Sequence, residues 1–194
     1  MGEPIDLIAG LGNPGAEHLA TRHNAGFWFV DALAAENGVS FQSNKKLDAD
    51  TAEITLSGRR IRLIKPMTYM NESGRALAKA TNFFKIGAKN TLIVYDELDL
   101  PPGRAQLKFG GGHAGHNGMR STIQHLGPDF WRVRIGIGHP GDRNRVSGYV
   151  LKRAPQAEED LITASIRRAI DVLPILIDKG GEQAKTALHT NGSG

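Results

Sequence analysis

The sequence predicts a single α/β domain in three layers, with a twisted, mixed but largely parallel sheet and helices on both of its faces. Short apolar runs typical of buried strands alternate along the chain with amphipathic stretches of helical period. The 194 residues, 40% of them hydrophobic, suffice for one sizeable core. No internal repeat, low-complexity tract or linker divides residues 1–194. We therefore expect one domain over the whole length.

The chain begins with a predicted strand and helix. The apolar run at residues 6–11 ends at a glycine-rich turn, as a short buried strand does. A helix is predicted over residues 21–37, where Thr21 or Asn24 could cap its start and Gly38 ends it. Its apolar residues recur at helical spacing: Phe27, Val30, Leu33 and Ala34.

The middle of the chain predicts a hairpin, a helix and two further strands. Residues 49–56 and 60–64 alternate in polarity around a Ser-Gly turn. The loop MTYMN follows, and residues 73–84 form a second amphipathic helix. The buried strand TLIVY, residues 91–95, leads directly into the acidic cluster DELD, and residues 105–109 predict another strand.

The last third predicts a helix over residues 119–126 and a strand over residues 131–137. Apolar residues then recur at helical spacing over residues 156–179. This pattern indicates a long helix that Pro174 should kink or break.

Composition limits the class of protein. The chain has no cysteine, which excludes disulfides, a thiol nucleophile and cysteine-ligated metal sites. No apolar run approaches the roughly 20 residues of a membrane helix. The N-terminal segment lacks the basic region of a secretory signal. We therefore expect a cytoplasmic protein without membrane contact. The formal net charge of +4 is compatible with a nucleic-acid partner.

The segment GLGNPG, residues 10–15, matches the dinucleotide fingerprint G-x-G-x-x-G after a strand. That fingerprint requires a helix to open within the glycine turn, whereas here Pro14 occupies the turn and the helical pattern starts near residue 22. The expected acidic residue is also missing from the end of a second strand, since Asp31 falls inside the helix. A nicotinamide or flavin oxidoreductase remains an alternative that this segment disfavours.

Polar side chains follow several predicted strands. Asn13, Asn71 and Asp96 come after strand ends, His23 opens the first helix, and Asn117 lies in a glycine-rich loop. The crevice beyond the carboxyl ends of parallel strands is where open α/β sheets bind ligands. A histidine at a helix start has its pKa lowered by the helix dipole, which favours the neutral, proton-accepting form.

This set suits acyl transfer to water. His23 would be the general base, and Asp96 would fix its tautomer and stabilise the imidazolium. The amides of Asn13, Asn71 and Asn117 can orient a carbonyl or a water and stabilise an oxyanion. No serine stands in a nucleophile-elbow context, so we expect no covalent acyl-enzyme.

The loop GGGHAGHNGMR, residues 110–120, carries two histidines that invite a metal hypothesis. The DELD carboxylates could complete such a site around His113 and His116. A zinc site requires three or four ligands at defined spacing, and glycines surround these histidines. We therefore expect no metal and no cofactor.

Basic residues cluster in the second half of the chain. They are Lys108, Arg120, Arg132, Arg134, Arg143, Arg145, Lys152 and Arg153. Two interpretations stay open, a solvated positive face and a track for a phosphate backbone that leads to the acyl site.

Together these segments resemble the bacterial-type peptidyl-tRNA hydrolase family, which cleaves the ester between a peptide and the tRNA 3′ end. The matching segments are GLGNPG (10–15), TRHNAGFWFVD (21–31), MTYMNESG (67–74), DELDLPPG (96–103), GGGHAGHNGMRS (110–121) and RIGIGHPGD (134–142). They cover roughly residues 5–152 in family order. A non-catalytic RNA-binding module that holds a tRNA 3′ end is the competing hypothesis.

The resemblance implies specific roles. His23 is the catalytic base and Asp96 its partner. The residues implied to line the peptide–ester site are Asn13, Met70, Asn71, His116 and Asn117, the last counted with the catalytic set. An aromatic residue usually stands three positions before TRHN, where this chain has His18. That departure puts a ring-packing role at that position in doubt.

The resemblance also implies how tRNA is bound. Lys108 and Arg134 match a clamp on the tRNA 5′-phosphate, and Arg143 matches a basic position that is usually lysine. Residues 156–189 match a C-terminal helical lid. The family resemblance implies a metal-free monomer that acts on peptidyl-tRNA.

Overall fold

The computed structural model describes residues 2–191, and a seven-stranded sheet forms its centre. The strands are β1 (Leu7–Gly10), β2 (Gln42–Asn44), β3 (Ala49–Leu56), β4 (Arg59–Pro66), β5 (Thr91–Glu97), β6 (Ala105–Phe109) and β7 (Trp131–Gly136). The helices are α1 (Ala25–Glu36), α2 (Ser73–Phe84), α3 (Asn117–Leu126), α4 (Val146–Val150), α5 (Gln156–Asp171), α6 (Leu173–Lys179) and α7 (Gly181–Asn191). Within residues 2–191 no helix is long and apolar enough to cross a membrane.

The sheet is mixed, and its four central strands are parallel. The strand order is β2-β3-β4-β1-β5-β7-β6. Strands β4, β1, β5 and β7 pair in parallel, whereas β3 and β6 run antiparallel to β4 and β7. The carboxyl ends of the parallel strands therefore meet at one edge, where Asn13 follows β1 and Asp96 lies near the end of β5.

Helices cover both faces of the sheet, as predicted. In β1, Ile8 packs with the core of α1 and α5–α7, whereas Leu7 and Ala9 pack with the core of α2 and α3. This division follows from the alternation of side chains along a strand. The α/β class and the three layers are confirmed.

Most element boundaries agree with the sequence pattern. The predicted hairpin turns at Ser57 and Gly58 with φ angles of 52° and 74°, the left-handed pair that suits a two-residue hairpin. The pattern gave no sign of β2, because its three residues are polar and mostly exposed. It also ended β5 too early, because Asp96 and Glu97 are buried acidic residues that continue the strand.

The helix predicted over residues 156–179 is broken into α5 and α6, as expected near Pro174, and α7 follows. Pro174 stands in the first turn of α6, where proline is tolerated, and Gly180 separates α6 from α7 with a φ of 98°. The buried side chains of these helices belong to the core on the α1 face. Among them are Ile162 and Ile170 of α5 and Leu176 of α6. A lid role for residues 156–189 stays a prediction, and any such movement would have to expose these side chains.

Candidate functional site

A buried carboxylate joins two histidines at the carboxyl edge of the sheet. His23 lies in a 3₁₀ turn, Arg22–Asn24, that leads into α1. Its Nδ1 atom is 2.8 Å from Oδ2 of Asp96, near the end of β5. The Nε2 atom of His116 is 2.8 Å from the other oxygen, Oδ1. Asp96 is 2% exposed and His23 is 8% exposed, so both hydrogen bonds are shielded from water.

Backbone contacts fix where the protons lie. The amide of Met119 donates to Nδ1 of His116 over 3.2 Å, so Nε2 of His116 carries the proton that is donated to Asp96. His23 donates from Nδ1 to the same carboxylate. The Nε2 atom of His23 makes no hydrogen bond to residues 2–191 and is the acceptor of the neutral ring.

The pKa of His23 is raised, which corrects the expected effect of the helix dipole. Burial alone lowers the pKa of His23, but the charge of Asp96 and its hydrogen bond outweigh burial and raise it. Burial raises the pKa of Asp96, but the two histidines outweigh burial and hold it far below its usual range. The carboxylate is therefore ionised across the physiological range, and it stabilises the protonated form of His23.

The ligand-type atoms of His23, Asp96 and His116 all lie within 4.8 Å of one another, a spacing that can hold a metal ion. The hydrogen bond from Met119 disfavours this, because a metal at Nε2 of His116 would require the proton at Nδ1, where that amide points. His113, the other histidine of the metal alternative, does not belong to this group. His113 instead accepts a hydrogen bond from the amide of Gly115.

Asn13 is held by another asparagine that the sequence pattern did not single out as a site residue. The side chain of Asn24 accepts from the amide of Asn13 over 2.8 Å and donates to its carbonyl over 3.0 Å. Asn24 occupies the N-cap position of α1, yet it makes no capping hydrogen bond there. The Oδ1 atom of Asn13 accepts from the amide of Met70 over 2.7 Å. Because this oxygen is occupied, Asn13 has its NH₂ group left to donate.

Met70 is a buried residue between the sheet and α3, the helix that follows His116. Its side chain is 4% exposed and packs in the core between the sheet and α3. A β-carbon at Gly118 would lie 2.4 Å from Sδ of Met70 and 3.1 Å from Cε1 of His116. A larger residue at position 118 would therefore displace the Met70 side chain and crowd the ring of His116.

A cavity of about 100 Å³, partly open to solvent, lies over the histidines. Its walls are formed by His23, Asp96, Glu97, Leu98, Ala114, Gly115, His116, Asn117, Val146, Ser147 and Val150. Asn117 is exposed at the start of α3, and its Oδ1 atom accepts from Arg120 over 3.2 Å. Asn13 and Asn71 are not among the wall residues, so Asn117 is the predicted amide that the structure places there. Asn13 is buried, whereas Asn71 is exposed.

Lys108 and Arg134 lie on one face of the β6–β7 pair. Gln106 pairs with Arg134 in the register, and Lys108 is two residues further along β6 on the same face. The ammonium of Lys108 is exposed and has no carboxylate partner among residues 2–191. Arg134 donates to Glu97 and to Gln106. The two predicted clamp residues are thus neighbours with different surroundings.

Arg132 anchors the glycine loop, a role that its sequence context did not reveal. It is 1% exposed, and its guanidinium donates to the carbonyls of Gly112, Gly111 and Pro128 over 2.6, 2.7 and 3.1 Å. Gly110 and Gly111 have φ angles of 71° and 112°, which require glycine. The glycines therefore allow a defined shape that Arg132 holds.

Arg22, directly before His23, is buried and binds the end of α4, the helix that contributes Val146, Ser147 and Val150 to the cavity wall. Its Nη1 atom donates to the carbonyls of Tyr149 and Lys152, and its guanidinium lies 3.8 Å from the centroid of the Tyr149 ring. These carbonyls are at the C-terminal end of α4, where a cation is favoured.

Arg143 lies in the exposed turn before α4. No described contact joins Arg143 to Lys108 or Arg134.

Comparisons with known proteins agree on one family. The family model described as "Peptidyl-tRNA hydrolase" matches residues 7–193. A peptidyl-tRNA hydrolase from Shewanella oneidensis is 50% identical over 188 residues, which cover 96% of each chain. One from Azotobacter vinelandii is 48% identical over 96% of this chain and 97% of its own. The crystal structure of the Acinetobacter baumannii peptidyl-tRNA hydrolase matches with a TM-score of 0.94 and 44% identity, covering 97% of this chain and 96% of that one.

Proposed function

The chain belongs to the peptidyl-tRNA hydrolase family, an ester hydrolase family that acts on peptidyl-tRNA, and on this premise we propose that His23 is the general base of the hydrolysis. One observation carries the proposal. Asp96 accepts a hydrogen bond at Nδ1 of His23, and this leaves Nε2 as the proton acceptor at the cavity. A buried carboxylate that orients a histidine in this way is the arrangement of general-base hydrolases.

The reaction needs one water and one ester. Nε2 of His23 takes a proton from the water as its oxygen attacks the ester carbonyl, which forms a tetrahedral intermediate. The ionised Asp96 stabilises the imidazolium that results. The bond to the ribose 3′-oxygen then breaks, and His23 returns the proton to that oxygen. The products are a free peptide carboxyl group and a tRNA with its 3′-hydroxyl.

The amide groups supply donors without adding charge. Asn13 has only its NH₂ group available, because its oxygen is bound to the amide of Met70. Asn117 lies in the cavity wall, and its NH₂ group is likewise available, since Arg120 donates to its oxygen. We assign Asn117 to the oxyanion and Asn13 to the peptide side of the ester. His116 and Met70 position these groups, and Asn71 contacts the peptide further out.

Binding of tRNA is assigned to the basic residues. Lys108 and Arg134 on the β6–β7 face bind the 5′-phosphate, and Arg143 before α4 contacts the backbone of the acceptor arm. Binding energy from these remote contacts positions the ester for attack. The enzyme acts as a monomer in the cytoplasm and requires no metal or cofactor.

A hydrolysis assay tests the proposal. N-acetyl-aminoacyl-tRNA is incubated beside the unacetylated form, with a chelator present, using the wild-type chain and His23→Asn. We expect cleavage of the acetylated substrate by the wild type alone, with tRNA binding retained by the variant. Near wild-type turnover by His23→Asn would overturn the base assignment. Loss of activity with chelator would overturn the metal-free mechanism.

A further inference from the structure

A second concavity lies on the side of α4 that faces away from the catalytic cavity. It measures about 470 Å³, is open to solvent, and is lined by Pro140, Asn144, Arg145, Gly148, Tyr149 and Lys152. The catalytic cavity is bordered instead by Val146, Ser147 and Val150 of the same helix. At 3.6 residues per turn these two sets of residues fall on opposite sides of α4. One helix, about 10 Å across, therefore separates the concavity from the catalytic cavity.

The concavity carries positive charge that no carboxylate neutralises. Arg145 and Lys152 are exposed, and neither forms an ion pair within residues 2–191, whereas the neighbouring Arg153 pairs with Glu159. Among the described residues, none that lines the concavity is acidic. Asn144 adds a neutral amide to the wall. Two unpaired cations beside an amide are suited to phosphate groups.

The wall of the concavity is held in place from the interior of the protein. Arg22 donates from its side chain to the carbonyls of Tyr149 and Lys152, and its backbone amide also donates to the carbonyl of Lys152 over 3.1 Å. The hydroxyl of Tyr149 donates to the carbonyl of Ile137 over 2.6 Å. A surface that is ordered before binding loses less entropy when a ligand arrives. The concavity is therefore preformed.

The catalytic cavity is too small to enclose the nucleotide that carries the ester. Its volume is about 100 Å³, whereas pockets that enclose a drug-sized molecule have roughly 300–1,000 Å³. The ester can enter this cavity, but the attached ribose and phosphates have to continue over the residues that border it. Helix α4 is one of those borders, and the concavity behind it has the volume that a nucleotide requires.

We propose that Arg145 and Lys152 form a subsite for the phosphodiester groups of the single-stranded 3′ end of tRNA. The inference rests on the proposed function, in which the ester of that 3′ end lies at His23. The strand that precedes the terminal adenosine then passes over α4, and its phosphates reach the two cations. This subsite is distinct from the clamp of Lys108 and Arg134, which takes the 5′-phosphate.

The RNA part of the substrate fits the concavity better than the peptide part. Each peptidyl-tRNA carries the same phosphodiester groups next to its ester, whereas the peptide differs in charge from one substrate to another. A fixed pair of cations therefore suits the RNA. The guanidinium of Arg145 can donate in a fork to two phosphate oxygens, and Lys152 adds a point charge. Because both side chains are exposed, these contacts should weaken as salt is added.

The test compares two short substrates that lack both a 5′-phosphate and an acceptor stem. One is an N-acetyl-aminoacyl ester of adenosine, which has no phosphodiester, and the other is the same ester of the trinucleotide C-C-A. For the wild type we expect a higher kcat/KM with the trinucleotide. Arg145→Gln and Lys152→Gln should each lower kcat/KM for the trinucleotide about fivefold and leave that for the adenosine ester unchanged. Lys46→Gln, at an exposed lysine in the turn between β2 and β3, is the matched control and should change neither value.

The salt dependence supplies a second readout. Each phosphate contact to a single strand contributes a slope of about 0.7 to the fall of log(kcat/KM) with log[salt]. The slope for the trinucleotide should therefore become shallower by roughly that amount in Arg145→Gln and in Lys152→Gln. An unchanged slope in both variants would overturn the subsite.

The outcomes separate this inference from the proposed function. If the wild type cleaves both substrates equally well, or if the variants lose activity on both to the same extent, the subsite is overturned while the assignment of His23 stands. If the variants lose activity on the adenosine ester only when its peptide is acidic, the concavity binds the peptide and the RNA assignment is wrong. If the wild type cleaves neither these esters nor N-acetyl-aminoacyl-tRNA, the proposed function fails and the inference fails with it.

Discussion

The side chain of Asn24 forms two hydrogen bonds to the backbone of a single residue, Asn13. It accepts from the amide over 2.8 Å and donates to the carbonyl over 3.0 Å, and Asn24 is 1% exposed. This contact fixes the turn after β1 against the turn that carries His23. The amide group of Asn13 is therefore positioned by the residue that follows the proposed base in the chain.

We predict that Asn24→Ala lowers the free energy of unfolding by about 2–3 kcal/mol, because two buried backbone groups lose their partner. Asn24→Asp should also destabilise, since a carboxylate oxygen would face the carbonyl of Asn13. Urea unfolding measures both changes. Asn37→Ala, which removes one hydrogen bond to Leu33 at the end of α1, is the control and should cost less. Equal losses at the two positions would contradict the role given to Asn24.

Asp96→Asn should lower kcat by roughly 10²–10⁴-fold, because His23 loses the charge that stabilises its protonated form. Burial of His23 remains in this variant, so its pKa falls below the ordinary value of 6.5. The acidic limb of the rate profile then moves to lower pH, whereas in the wild type it lies above 6.5. A pH series of kcat measures the shift, and an unshifted limb would show that Asp96 does not set the pKa of His23.

The raised pKa of His23 and the lowered pKa of Asp96 make the stability of the fold depend on pH in opposite directions. The raised pKa of His23 gives stability that is present below pH 6.5 and is lost as pH rises through its value in the folded protein. The lowered pKa of Asp96 gives stability that is present above pH 3.8 and is lost as pH falls. The sum of these terms should be largest between pH 3.8 and 6.5. In Asp96→Asn both terms disappear and burial lowers the pKa of His23 instead, so the thermal stability of that variant should fall as pH drops below 6.5, where the wild type stays near its maximum.

From the sequence, a residue of the candidate site can be identified when it lies at or just after the end of a strand in the parallel sheet. His23 contacts Asp96 near the end of β5, and Asn13 follows the neighbouring strand β1 at the same edge of the sheet. Asn24 could not be assigned in this way, since an asparagine at a helix start looks like a cap. Arg132 alternates with apolar residues as a solvated strand residue does, and its burial depends on a loop that folds over it. Such contacts arise from tertiary packing, which no local pattern records.

Arg132→Lys should loosen the glycine loop while it keeps the positive charge. A lysine ammonium cannot donate in a fork to the carbonyls of Gly111 and Gly112. We expect a loss of about 2 kcal/mol in the free energy of unfolding, faster amide hydrogen exchange over residues 111–115, and a lower kcat. Arg75→Lys on α2, where the guanidinium pairs with Glu72, is the control and should leave exchange in the loop unchanged. Unchanged exchange in Arg132→Lys would mean that the loop holds its shape without this anchor.

His189 should make the docking of α7 sensitive to acid. Its Nε2 atom accepts a hydrogen bond from the amide of Leu107 in the edge strand β6, over 3.1 Å. Burial, followed by the nearby charges of Arg104 and Lys185, lowers the pKa of His189 below 6.5. A histidine whose pKa is lowered by folding contributes stability that is present above pH 6.5 and is lost as pH falls through its value in the folded protein.

Protonation of His189 removes the lone pair that binds Leu107, so α7 should detach from β6 more readily at low pH. In His189→Gln a side-chain oxygen can accept the same hydrogen bond without titrating. We therefore expect the melting temperature of the wild type to fall relative to that of His189→Gln as pH falls from 7 to 5. Subtracting one curve from the other removes the titration of His23 and the carboxylates, which both proteins share. A constant difference across this range would show that His189 stays neutral or that its hydrogen bond contributes nothing to stability.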